Sequence, residues 1–267
     1  MKSYHQASGG VKPGLRVLLA GGGSGGSAAP VIAVAEAIRE RQPETELLYV
    51  GTRTGPEAQL ASAAGLPYVG IPTGRFRRYG TWRNLTDPVL VLVGLCRAQA
   101  IVHRFGPTLA FGAGGFATVP PLLAARLGRA RVGVHQQDVA WGLANRMLAP
   151  FASHRTCAFE ETCQRLTSTS AISVGNPVRR SILLGDPTVG RAELGLDANR
   201  PLVLATGGGT GAARLNDLLV GAAPELLKCW HTATKMGIVL LSSMLPKRAS
   251  GMQRYGCKKV RREISAS

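Results

Sequence analysis

The sequence predicts an α/β protein built on a doubly wound parallel sheet, and three observations predict it. Short apolar runs alternate with segments of helical period over most of the chain. Glycine clusters sit where an apolar run gives way to a helix. The same strand, glycine turn and helix pattern then restarts near Pro201, which predicts the start of a second domain of the same type.

The elements follow in order. "LRVLLA" is a β-branched and leucine-rich strand that ends at the first glycine cluster, and Val31, Val34, Ala35 and Ile38 then recur at helical spacing, with Pro30 read as a first-turn proline. "ELLYVG" is a second strand, "GPEAQLASAAG" a helix stopped by Gly65, and "PYVGIP" a third strand. A long helix is expected over Pro88 to Phe105, then the strand "PTLAFG", the helix "TVPPLLAARLG", the strand "RVGVHQ" and the helix "GLANRMLAPFA". "HRTCAF" and "AISVGN" close the series as short strands. Strands alternating with helices require crossovers, and these connect parallel strands in a right-handed sense.

"NPVRRSILLGDPTVGRAELGLDANRP" is punctuated by proline and glycine and reads as a connector, after which "LVLATGGGTGAARLNDLLVGAAPELL" repeats the opening pattern. Beyond Lys228 the Ala/Leu/Gly/Arg texture breaks off, and in that segment "MGIVLLSSML" is a possible strand. The division expected is 1–176 for a first domain, 177–228 for a linker and the first strand, loop and helix of a second, and 229–267 for a basic, divergent tail. One strand and one helix cannot bury both faces of a sheet, so the second domain is expected to be incomplete and poorly stabilised. The abrupt compositional change suggests a frameshift as the origin of the tail.

The chain of 267 residues carries 32 Lys and Arg against 15 Asp and Glu, a net charge of +17. Such a surface suits anionic partners, and an arginine-rich composition is the alternative source of the charge. No RNA-type aromatic motif or helix-turn-helix accompanies it, so no nucleic-acid partner is expected. Cys96, Cys157, Cys163, Cys229 and Cys257 form no CxxC pair, which argues for a reducing compartment and against a metal cluster. The polar start "MKSYHQASGGVKPG" lacks an apolar signal core, and the longest apolar run, "PVLVLVGLC", is too short to span a bilayer. The expected location is therefore the cytoplasmic side.

Three turns, "LLAGGGSGGSAAP", "LAFGAGGFATVPP" and "LVLATGGGTGAAR", share one design. Glycines admit positive φ and remove side chains, and a helix start adds unpaired N–H donors with a partial positive charge, so a phosphate or diphosphate can approach the backbone. Gly21, Gly23 and Gly26 also satisfy a dinucleotide fingerprint, but the second strand ends in Gly51, Thr52 and Arg53 where that reading requires an acid for the ribose. Arg53 keeps an NADP enzyme as a minor alternative.

"GGGSGGSAAPVIAVAEAI", "GAGGFATVPPLLAARLG", "HQQDVAWGLANRMLAPFA", "VGNPVRRSI" and "GGGTGAARLN", in this order and spacing, resemble the MurG family of N-acetylglucosaminyltransferases over roughly Leu15 to Leu227. The resemblance implies a GT-B arrangement of two Rossmann-like domains. It also implies transfer of GlcNAc from UDP-GlcNAc to an undecaprenyl-diphosphate muramyl-pentapeptide in peptidoglycan synthesis, with inversion and without a metal or other cofactor. The implied location is peripheral, at the cytoplasmic face of the inner membrane. By the same resemblance Gly23, Gly25, Gly26, Gly114 and Gly115 face the acceptor diphosphate. Ser24, Gly25, Gly26, Asp138, Arg179 and Gly209 match donor-binding positions.

Three matched positions depart from the family's usual residue. Ser27 replaces a histidine that is a candidate for assisting the acceptor hydroxyl, Asp138 replaces an asparagine that contacts sugar, and Gly209 replaces a serine. A serine hydroxyl is a poor base near neutral pH, so of the two candidate catalytic residues Asp138 is preferred to Ser27. A second reading of Asp138 is that it caps the helix beginning near Trp141. His135 sits at a strand end where it could line the cleft, and a structural histidine is the preferred reading. "GRFRRYGTWR" places Arg75, Arg77 and Arg78 beside Phe76 and Trp82 ahead of an apolar helix, a mixture suited to an anionic membrane surface; a solvated arginine loop beside a buried helix is the other reading. The chain as a whole is expected to be either such a transferase or a truncated, non-catalytic module for acceptor and membrane binding.

Overall fold

Along β1 (Arg16–Ala20), Val17 and Leu19 belong to one hydrophobic core while Leu18 and Ala20 belong to another. That two-residue alternation, with all four side chains buried, is the signature of a strand covered on both faces. A computed structural model describes residues 14–23, 25–73, 83–165, 170–193, 202–206, 217–218, 221–222 and 237–241. It divides into two units, Met1–Leu183 and Leu184–Ser267.

In the first unit β1 is joined by β2 (Glu46–Thr52), β3 (Tyr68–Ile71), β4 (Leu109–Gly112), β5 (Arg131–Gln136), β6 (His154–Cys157) and β7 (Ile172–Ser173). The seven strands lie in the order β3-β2-β1-β4-β5-β6-β7, every pair parallel. The chain builds outward from β1 in one direction and then reverses, so β1 and β4 flank the point at which the winding changes side. In open parallel sheets a crevice opens there beyond the carboxyl ends of the strands.

One face is covered by α1 (Gly25–Arg41) and α2 (Glu57–Ala63), whose Val31, Ile32, Ala35 and Ala61 pack with Val17, Leu19, Leu47 and Tyr49. The other face is covered by α3 (Arg83–Phe105), α4 (Val119–Leu127) and α5 (Leu143–Leu148). Their Ala98, Val102, Leu122, Ala124, Ala125 and Leu148 pack with Leu18, Val50, Ala110, Val132 and Val134. A shorter α6 (Glu160–Gln164) follows β6.

Several boundaries differ from the expectations. The glycine turn feeds α1 directly at Gly25, so Pro30 lies inside the helix rather than in its first turn. The long helix starts at Arg83, ahead of the proline used to place it. Gly65 does end α2: it takes a φ of +64°, and Leu66 N–H donates to Ala61 O at 2.9 Å. At the end of α4 the left-handed position falls instead on Arg129, φ +65°, the one non-glycine with positive φ among the described residues. The connector is partly helical, with α7 (Arg180–Leu183) closing the first unit and α8 (Pro187–Glu193) in the second.

The second unit contains a parallel pair, β8 (Leu202–Thr206) and β9 (Gly237–Leu241). The latter is the strand suspected in "MGIVLLSSML".

Candidate functional site

The site is built from loops leaving the carboxyl ends of β1, β2, β4 and β5. Gly23 and Gly115 have φ of +91° and +88°, a backbone that L side chains rarely adopt. The two turns touch: an ideal Cβ on Gly115 would lie 2.3 Å from the Gly22 carbonyl oxygen, and one on Gly23 would lie 2.1 Å from the Phe116 ring. Only glycine lets the β1–α1 and β4–α4 turns meet at this distance. Gly25, by contrast, has no atom of the described residues within 4 Å of its Cβ position, so the start of α1 is not packed on that side. The helix start supplies the donors and partial positive charge that an anion seeks.

Gly114 is buried beside Asn145, and its carbonyl accepts from the Thr118 hydroxyl at 2.6 Å. Ser27 is buried, and its hydroxyl donates to the Gly22 carbonyl at 3.3 Å, which ties the turn together from within.

The β5–α5 loop is held by side chains rather than by regular structure. Gln136 Oε1 accepts from Asn145 Nδ2 at 2.8 Å and from Gly142 N–H at 3.3 Å, and its Nε2 donates to the carbonyls of Ala140 at 2.8 Å and Asp138 at 3.2 Å. Gln137 reaches across to donate to Ala113 O at 3.0 Å, linking this loop to the second glycine turn. Asp138 stands on the loop with its side chain exposed. α5 has Gly142 at its N-cap and no side-chain cap, so Asp138 does not cap that helix and its carboxyl is left to solvent.

His135 is a structural residue, as read. It is 1% exposed, with Nδ1 2.9 Å from Thr156 Oγ1 and Nε2 3.2 Å from Asn176 Oδ1. Burial pulls its pKa below the ordinary histidine value, so the neutral ring donates through Nε2 to Asn176 and accepts at Nδ1 from the threonine hydroxyl. Asn176 thereby anchors the "GNPVRR" segment to the end of β5. Arg180 anchors it again on α1, where its N–H donates to Glu36 Oε2 at 3.1 Å and its guanidinium pairs with Glu40. Between these anchors Arg179 has its Nε buried, with no hydrogen-bond partner among the described residues.

One site feature escaped the sequence reading. The acid missing from the end of β2 is supplied from the first turn of α2. Glu57 is wholly buried, and its Oε1 accepts from Thr52 N–H at 2.8 Å and Thr52 Oγ1 at 2.5 Å. The available signal was an acid directly after "TGP", at a helix start where its carboxyl can fold back onto the preceding strand end. Tyr49 and Tyr68 stack beside it with ring centroids 5.7 Å apart, and burial, then the neighbouring Glu57, raises both phenol pKa values.

Ser24, Gly209, Arg75, Phe76, Arg77, Arg78 and Trp82 lie outside the described residues. Among the described residues no group of three or more His, Cys, Asp or Glu is placed to hold a metal, and no helix is long and apolar enough to cross a membrane.

A doubly wound parallel sheet with two glycine turns meeting at its switch point is a Rossmann-like domain, the kind of domain from which GT-B proteins are built. The profile of the glycosyltransferase family 28 N-terminal domain matches residues 17–156, more than half of the chain, and the chain belongs to that family. It is 37% identical, over 80% of its length, to the UDP-N-acetylglucosamine--N-acetylmuramyl-(pentapeptide) pyrophosphoryl-undecaprenol N-acetylglucosamine transferase of Lachnospira eligens. It is 36% identical, again over 80% of its length, to the enzyme of the same name from Lachnoclostridium phytofermentans. The chain spans 60% and 59% of the length of these two relatives. Among solved structures it resembles MurG of Acinetobacter baumannii with a TM-score of 0.59 at 24% identity, over 88% of this chain and 70% of that one.

Proposed function

We propose that the chain forms the acceptor side of a GlcNAc transferase acting in peptidoglycan synthesis. In this reading it receives the diphosphate of an undecaprenyl-linked muramyl-pentapeptide at its paired glycine turns and works with UDP-GlcNAc as donor. The observation that carries this is the contact of the β1–α1 and β4–α4 turns at the switch point of the sheet, where α1 starts at Gly25 with no described atom within 4 Å of its Cβ position. The names of the relatives support the choice of donor and acceptor classes; the arginine and aromatic segment around Arg75–Trp82 is the proposed contact with an anionic membrane surface at the cytoplasmic face.

In the transfer step the acceptor hydroxyl attacks the anomeric carbon, the bond to UDP breaks, and the hydroxyl proton leaves to a base. Asp138 is the proposed base, since its carboxyl is exposed on a braced loop, whereas the Ser27 hydroxyl donates into its own turn. Arg179, together with Ser24, Gly25, Gly26 and Gly209, is proposed on the donor side. No metal or other cofactor enters the proposal.

The test is transfer of labelled GlcNAc from UDP-GlcNAc to a lipid-linked acceptor by the purified chain. Asp138→Asn is expected to lower kcat by about 10²- to 10⁴-fold with little change in donor affinity; an unchanged kcat removes Asp138 as base. Gly25→Val adds a side chain whose Cβ meets no described atom within 4 Å, and is expected to abolish diphosphate binding while the protein stays folded.

A second reading is a non-catalytic module for acceptor and membrane binding. A UDP-GlcNAc titration separates the two, micromolar affinity supporting the transferase and millimolar or absent affinity the module. The NADP alternative is not carried forward. The family is one of glycosyltransferases, and its profile covers the glycine turn and Arg53 on which that alternative rested.

A further inference from the structure

We infer that Glu57 is a positioning residue that shapes the first glycine turn for a diphosphate ligand without touching it. The inference rests on the reading of that turn as a diphosphate site.

The carboxyl fills space that three glycines leave. An ideal Cβ on Gly22 would fall 2.4 Å from Glu57 Oε1, one on Gly55 2.0 Å from Oε2, and one on Gly51 2.9 Å from Cγ. Glu57 is therefore the wall against which the backbone of the β1–α1 turn rests. The other side of the same peptide is fixed by the Gly115 contact and by the Ser27 hydroxyl on the Gly22 carbonyl. Gly22 is held between these two supports, and the turn leads from it into Gly25 and the start of α1.

Stability alone does not account for the arrangement. Oε1 serves Thr52, but Oε2 is buried with no hydrogen-bond partner among the described residues, and burying an unpaired carboxyl oxygen is unfavourable. What the carboxyl does in that place is brace. It locks Thr52 at the end of β2, where the Tyr68 hydroxyl also donates to the Thr52 carbonyl, and it keeps the glycine turn from sinking onto the sheet edge. A ligand held by backbone amides is sensitive to displacements of this kind, since a shift of about 1 Å can cost about a hundredfold in a positioned step.

The experiment measures inorganic pyrophosphate binding to the full chain by calorimetry at physiological salt, with Gly25→Val as the control that identifies binding at the turn. Glu57→Gln keeps the length and an oxygen acceptor for Thr52 and is expected to bind within about threefold of the unaltered chain. Glu57→Asp withdraws the carboxyl by one methylene and is expected to bind about tenfold more weakly, while urea unfolding shows that it remains folded. Glu57→Ala is expected to lose at least as much as the aspartate variant; if it does not fold, the aspartate and glutamine variants decide. Equal binding by the unaltered chain and both of those variants overturns the positioning role, and equal loss in the two overturns it in favour of charge. If the unaltered chain shows no pyrophosphate binding that Gly25→Val removes, the diphosphate reading itself fails, and the inference with it.

Discussion

At the scale of single residues the molecule is held by groups whose chemistry is largely hidden in a one-dimensional reading. His135 is the clearest case. Its ring is neutral, buried and hydrogen-bonded at both nitrogens, and its pKa lies below the ordinary value because burial disfavours the imidazolium. As pH falls through the ordinary histidine range the unfolded chain takes up a proton that the folded ring refuses. The stabilisation from His135 is therefore present above that range and is lost as pH falls towards the folded-state pKa. Unfolding free energy measured in urea between about pH 7.5 and pH 5.5 should fall more steeply for the unaltered chain than for His135→Gln. That variant should also cost about 1–2 kcal/mol at the upper pH, from the loss of paired buried contacts. A structural histidine was legible from its place at a strand end, but its partner Asn176 was not, because 41 residues separate them. The same holds for Glu57: the sequence shows an acid at a helix start, and only the fold brings its carboxyl back to Thr52. Asp138 was legible as a polar group in the loop after β5. The choice between cap and free carboxyl needed the start of α5 at Leu143.

At the scale of elements the alternation of apolar strands and helical periods fixed the order, because strands buried on both faces read as continuous apolar runs and their crossover helices carry a different period. Boundaries were less legible where a glycine or proline has more than one use. Gly128 is the C-cap of α4, yet its φ is −76° and Arg129 takes the left-handed turn, with Ala130 N–H donating to Ala125 O at 2.9 Å. A side chain in that conformation costs about 1–2 kcal/mol, and glycine loses about 0.5–1 kcal/mol in entropy on being ordered. Arg129→Gly should therefore stabilise the protein by about 0.5–1 kcal/mol, read as a higher urea midpoint with an unchanged slope. An unchanged or lowered midpoint would mean that the arginine side chain contributes as much as its backbone costs. Pro30 shows the same ambiguity: a proline inside α1 leaves the Gly26 carbonyl without its helical donor, close to the start of the helix.

At the scale of the whole molecule, the first unit holds all seven strands of the main sheet and both hydrophobic cores. A chain ending at Leu183 should accordingly unfold in one cooperative transition, with a midpoint close to that of the first unit in the full chain. Loss of cooperativity in that fragment would show that the second unit supports the first. The strand ends of this unit carry a further consequence. Its outermost strands are short, with four residues in β3 and two in β7, so neither edge offers a long row of free amides and carbonyls to a neighbouring molecule. The β8–β9 pair has five residues in each strand and, among the described residues, no third strand beside either. A concentrated fragment ending at Leu183, whose outer strands are the short β3 and β7, should stay monomeric in sedimentation velocity.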